Sequence, residues 1–129
     1  MVTATGLRVL VVEDEAMIAM LAEDMLEMAG CELAGVASTL AEGLAAAERD
    51  DFDVAMLDMN LDGDHSTPIA DRLEARGKAF IFTTGYGSGG VPEHHADRPV
   101  CAKPYVLGDL QATLAQAAGT SSSTSTSDS

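Results

Sequence analysis

At 129 residues and 13.3 kDa the chain has room for one domain of ordinary size, enough to bury a core without disulfides or structural metal, which excludes a two-domain enzyme. Seven Lys and Arg against 21 Asp and Glu leave a net charge of −14, a potential that repels phosphate backbones and anionic lipid and argues against nucleic-acid and membrane partners. With 47% hydrophobic residues the chain is expected to fold, and with no apolar run of bilayer length and no signal-type core in residues 1–6 it is expected to be cytoplasmic.

Short apolar runs recur at intervals of about two dozen positions, with helical periodicity between them. The first run, Leu7 to Val12, reads as a strand and is followed by a stripe of Met17, Leu21, Met25 and Met28 that ends at Gly30. The methionines of that stripe are expected in the core. A second strand spans Cys31 to Ala37, and Thr39 with Glu42 makes a capping box that opens a helix carrying Leu40, Leu44 and Ala47. After a third strand, Val54 to Leu57, Thr67-Pro68 opens a helix with Ile69 and Leu73 inward and Gly77 at its end. The fourth strand is Ala79 to Thr83. Residues 86–97 then hold three glycines and Pro92, which predicts a fourth helix that is short or poorly formed. A fifth strand, Val100 to Ala102, leads to a last helix with Leu107, Leu110 and Leu114. Residues 119–129 are nearly all Ser and Thr and are expected to be a disordered tail, leaving residues 7–118 as the domain. Asp128 is the only charge in that tail, so the acidity belongs to the domain.

Alternating strands and helices in this length predict an α/β domain with a flavodoxin-like (βα)5 doubly wound parallel sheet, in strand order 2-1-3-4-5. The first, third and fourth runs are the most continuously apolar and suit central positions. Cys31 and Cys101 then fall on opposite edges, roughly 19 Å apart, too far for a disulfide, and read as reduced and buried.

Ligands bind such sheets beyond the carboxyl ends of the strands. Polar residues gather there: Glu13-Asp14-Glu15 after the first strand, Asp58 after the third, Thr84 after the fourth and Lys103 after the fifth. Two carboxylates about 4 Å apart repel by roughly 4 kcal/mol at an effective dielectric of about 20, a conflict that a divalent cation resolves. Oxygen ligands at loop ends suit magnesium (Mg2+) completed by a phosphoryl group, with Asp58 as the nucleophile and Thr84 and Lys103 placed to meet phosphoryl oxygens.

Other patterns compete poorly. Asp58-x-Asn60-x-Asp62-Gly63 opens like a calcium loop, but its twelfth position is Ile69 and a strand precedes it. The spacing of Gly85, Gly87 and Gly90 fits a dinucleotide fingerprint, yet Pro92 interrupts the helix it should open. His94 and His95 are adjacent, so they cannot share a helical face as metal ligands at i and i+4 do, and they read as surface loop residues. His65 has no nucleophile to serve and is given no role.

The segments V-L-V-V-E-D-E at 9–15, A-M-L-D-M-N-L at 55–61, T-T-G-Y at 83–86 and A-K-P-Y at 102–105 resemble the receiver domain of two-component response regulators. The resemblance implies Asp58 as phosphoacceptor for a sensor histidine kinase, and Asp14, Asp58 and the backbone carbonyl of Asn60 as magnesium ligands. It further implies Glu13 as an indirect acidic helper, Thr84 as switch residue, Lys103 as phosphate partner and a cis Lys103-Pro104 bond. The stretch A-F-I-F-T-T-G-Y-G resembles the "FAT GUY" group of stand-alone receivers associated with alphaproteobacterial stress and light signalling, with Ala79 and Thr83 departing from its usual Pro and Ala. Val100 stands where a switching aromatic is common in receivers, so Tyr86 is expected to do that reporting as phosphorylation orders the segment after Thr84. With no output domain within these 129 residues, the protein is expected to signal through protein contacts with a downstream target, or to act as a phosphate sink, and not to be a turnover enzyme. The alternative, a dehalogenase-type magnesium-dependent phosphatase, resembles D-x-D, and here the second acid is replaced by Asn60.

Overall fold

The computed structural model describes residues 5–85 and 92–123. In chain order the elements are β1 (Arg8–Val12), α1 (Ala16–Met28), β2 (Glu32–Ala37), α2 (Leu40–Ala46), β3 (Val54–Asp58), the short β4 (Asn60–Leu61) and β5 (Asp64–His65), α3 (Thr67–Ala75), β6 (Ala79–Thr84), a 3-10 turn at Glu93–His95, β7 (Val100–Ala102) and α4 (Leu107–Ser123). Five strands form one parallel sheet in the order β2-β1-β3-β6-β7, the flavodoxin-like order anticipated above once the β4–β5 hairpin is set aside.

Period-two alternation divides the core. Leu10, Val12, Ala55, Leu57, Phe80 and Phe82 face the layer of α2 and α3, while Val9, Val11, Val54, Met56 and Ile81 face that of α1 and α4. With apolar side chains on both faces, β1, β3 and β6 occupy the sheet centre, and the more polar β2 and the three-residue β7 form its edges. The cap of α2 follows the sequence: Thr39 Oγ1 accepts from the Glu42 N–H at 3.1 Å, and Glu42 Oε1 accepts from the Ser38 N–H at 2.7 Å. Gly30, at φ +81°, stops α1.

Several details differ from the sequence reading. Met17, Met20 and Met28 are exposed by 82%, 63% and 61%, and the buried residues of α1 are Ala19, Ala22 and Leu26. Apolar residues fill every position from Ala16 to Ala22, so periodicity cannot choose a face, and the small alanines settle it by letting the helix approach the sheet. His95, expected at the surface, is fully buried, its ring edge-on to Phe80 and Phe82 at centroid distances of 5.4 and 6.0 Å, while His94 is exposed. Among the described residues between β6 and β7 the only regular structure is the 3-10 turn, so His95 supplies cover over those phenylalanines. Tyr86 to Val91, including the segment expected to order on phosphorylation, lie outside the described residues. Cys101 is buried and Cys31 only half-buried, and neither forms a disulfide. Helix α4 runs to Ser123, past the expected boundary at residue 119, because extending a nucleated helix costs far less than starting one. The β4–β5 hairpin was not anticipated, although Asp62-Gly63 at its tip, both at positive φ, is a hairpin signal in the sequence.

Candidate functional site

The carboxyl ends of β1, β3, β6 and β7 open onto one cleft of about 470 Å³, lined by Asp14, Asp58, Asn60, Thr84 and Lys103 together with Ile18, Met59 and Pro104. Parallel strands with right-handed crossovers bring these ends to one edge, which is why residues so distant in sequence meet. Asp58 is the last residue of the central β3 and is buried beside Thr83 of β6, its register partner. Glu13, one residue past β1, is buried, and its Oε2 accepts a long hydrogen bond of 3.3 Å from the Glu15 N–H. Lys103 follows β7, where its N–H donates to the Thr84 carbonyl at 2.8 Å, and its Nζ lies 3.1 Å from Glu13 Oε1 and 3.3 Å from Asp58 Oδ2. The Lys103-Pro104 bond is cis, as the resemblance implied. Asn60 sits on the cleft wall in β4, and its Oδ1 accepts from the Gly63 N–H at 2.8 Å, tying the hairpin turn to the site.

The electrostatics are those of crowded anions around one cation. Burial, and then the neighbouring Asp58, push the Glu13 carboxyl up to about 7, against the pull of Lys103 in the other direction. Burial alone would lower the Lys103 ammonium, but Asp58 and Glu13 together outweigh it and the net shift is upward. Oxygens of Glu13, Asp14 and Asp58 lie within 4.8 Å of one another. An all-oxygen donor set, with one acid resisting ionisation because it is buried beside another, fits a hard divalent cation of the magnesium class.

Residues 9–92 match the response regulator receiver domain. The chain belongs to that family. No curated protein matches it. Among solved structures, the receiver resembles the solution structure of SdrG from Sphingomonas melonis Fr1, with 40% identity over 89% of this chain and 96% of that one at a TM-score of 0.75. It resembles the BeF3-activated conformation of SdrG from Pseudomonas melonis Fr1, also at 40% identity, over 80% of this chain and 88% of that one at a TM-score of 0.69. The response regulator REC domain of PhyR from Erythrobacter litoralis is 26% identical over 88% of this chain and 90% of that one, at a TM-score of 0.72.

All six site residues expected from the sequence, Glu13, Asp14, Asp58, Asn60, Thr84 and Lys103, meet at the cleft edge of this receiver. Tyr105 was missed. It is buried in the core beneath the strand ends, and burial pushes its phenol well up. Its position immediately after Lys103-Pro104 was the available signal. Among the described residues no helix is long and apolar enough to cross a membrane.

Proposed function

We propose that the protein is a single-domain response regulator in which Asp58 accepts a phosphoryl group from a sensor histidine kinase. The observation that carries this reading is the placement of Asp58 at the end of a central strand, 3.3 Å from Lys103 Nζ and within 4.8 Å of two further carboxylates. An Asp58 oxygen attacks phosphorus as the bond to the kinase histidine nitrogen breaks, and the imidazole leaves with the bonding pair. Lys103 follows the negative charge from the carboxylate onto a phosphoryl oxygen, and the Thr84 hydroxyl donates to another. Asp14, Asp58 and the Asn60 carbonyl would hold magnesium, with Glu13 acting indirectly. When bound, the cation neutralises the repulsion between attacking carboxylate and phosphoryl oxygens.

The exposed Met17 and Met20 stand on the first two turns of α1, next to Asp14 and Glu15 at the cleft rim, and offer an apolar footing for the kinase. The phosphorylated receiver then acts by protein contacts on a downstream target, or drains the kinase as a phosphate sink. The protein is in this reading a self-catalysed acceptor and not a turnover enzyme. Incubation with acetyl phosphate and magnesium tests the central assignment. Wild type takes up one phosphoryl group and Asp58→Asn takes up none while keeping its circular-dichroism spectrum. Full labelling of Asp58→Asn at another residue overturns the assignment.

A further inference from the structure

We propose that Asp71, His94 and His95 form a second metal site, for a transition metal of the zinc class, with Glu74 orienting His95. The site lies between α3 and the 3-10 turn, and none of its residues lines the acidic cleft. Asp71 Oδ1 is 2.7 Å from His94 Nε2 and 2.8 Å from His95 Nε2, so two imidazoles converge on one carboxylate oxygen. Adjacent histidines achieve this because they sit on a tight 3-10 turn facing α3, not on a helix of their own.

The surroundings of the His95 ring make the case. Its ring is fully buried, with Nε2 toward Asp71 and Nδ1 3.1 Å from Glu74 Oε1, within ion-pair distance but outside hydrogen-bond geometry. A neutral imidazole carries one N–H and one lone pair. With Nε2 bonded to Asp71, the buried Nδ1 is left without a hydrogen-bond partner. A ring whose Nε2 lone pair binds a metal while Nδ1–H turns to Glu74 satisfies both nitrogens. This is the carboxylate–histidine–metal arrangement that orients ligating imidazoles.

Two imidazole nitrogens with one carboxylate oxygen select the zinc class over magnesium, which prefers oxygen alone. Tetrahedral zinc with bonds near 2.0–2.1 Å holds its ligand atoms roughly 3.3 Å apart, so the two separations from Asp71 Oδ1 to the imidazole nitrogens need to open by only about half an ångström. Asp71 and His94 are both more than half exposed, which gives the ion an entry path and leaves a fourth position for water. A bound ion would fasten the 3-10 turn to α3 over Phe80 and Phe82 of β6, the strand that also carries Thr84.

Cobalt(II), a spectroscopic stand-in for zinc, tests the site with the full chain in saturating magnesium, which occupies the acidic cleft. One equivalent is expected to give the intense visible bands of four-coordinate cobalt, displaced by zinc. His94→Ala, at an exposed position that should not disturb folding, is expected to lose the bands. Glu74→Gln is expected to weaken binding by about tenfold to a hundredfold. Asp14→Asn should bind cobalt as wild type does. Absence of four-coordinate bands in wild type would mean that the two imidazoles only hydrogen-bond to Asp71 and would overturn the site. Bands that survive His94→Ala but vanish in Asp14→Asn would place the metal in the acidic cleft and overturn it equally.

Discussion

Glu13 and Asp58 share one ammonium, so Lys103 offsets only one of the two negative charges they would carry together. The buried Glu13 carboxyl, pushed up to about 7 first by burial and then by Asp58, yields by keeping its proton. Between its ordinary value near 4.5 and about 7 the folded protein holds a proton that the unfolded chain has released. Folding therefore binds protons in that window, and this group's contribution to stability is present below it and lost as pH rises through it. The metal-free protein is expected to show a thermal midpoint that falls across the window, with magnesium flattening the fall by favouring the ionised carboxylate. Glu13→Gln, uncharged throughout, should lack this component of the slope. Parallel profiles for the two proteins would show that Glu13 does not titrate there.

Helices α2 and α3 approach each other through Gly43, where an added Cβ would stand 2.4 Å from Ile69 Cδ1 and 3.3 Å from Val12 Cγ1. Ile69 and Val12 are fully packed and have little room to move. Gly43→Val is therefore expected to lose about 2 kcal/mol, overpacking outweighing the small gain in helix propensity. Gly108 in α4 has nothing within 4 Å of its added Cβ, so Gly108→Ala should instead gain about 0.5 kcal/mol by narrowing the unfolded ensemble. Urea denaturation of the two variants checks both signs, and a destabilised Gly108→Ala would show that the space argument fails. The far end of α3 is tied to the end of α2 by Arg76, which donates to the Ala47 and Arg49 carbonyls at 2.6 and 3.0 Å. This tie fixes the helix that presents Asp71 and Glu74.

For the whole molecule, two kinds of chemistry sit on separate surfaces: an acidic cleft at the strand ends and a histidine cluster over β6. The strongly negative receiver leaves little electrostatic attraction for another acidic partner, so exposed apolar surface carries more weight in docking. Among the described residues, Met17 and Met20 are exposed by 82% and 63% beside the cleft. Met17→Glu is expected to slow phosphotransfer from the cognate kinase by about tenfold, since truncating a well-packed interface anchor typically costs over 1 kcal/mol, while leaving uptake from acetyl phosphate unchanged. Equal slowing with both donors would place the defect in the chemistry and not in docking.

Legibility in the sequence followed the range of the interaction responsible. Strand order and the placement of Glu13, Asp14, Asp58, Thr84 and Lys103 at one edge could be read directly, because apolar runs, caps and right-handed crossovers leave one arrangement that buries the central strands. The hairpin at Asp62-Gly63 is equally local, its signal carried by two turn residues at positive φ. Other features had no local signature. Which face of α1 enters the core was decided by how closely Ala19 and Ala22 could approach the sheet, since its first two turns are apolar all round. The sharing of Lys103 between Glu13 and Asp58 joins residues up to 90 positions apart, and the resistance of Glu13 to ionisation exists only once burial has removed water from it. His95 is buried because Phe80 and Phe82 need cover and α3 offers two carboxylates to receive it. That is a packing outcome, decided by the tertiary structure alone.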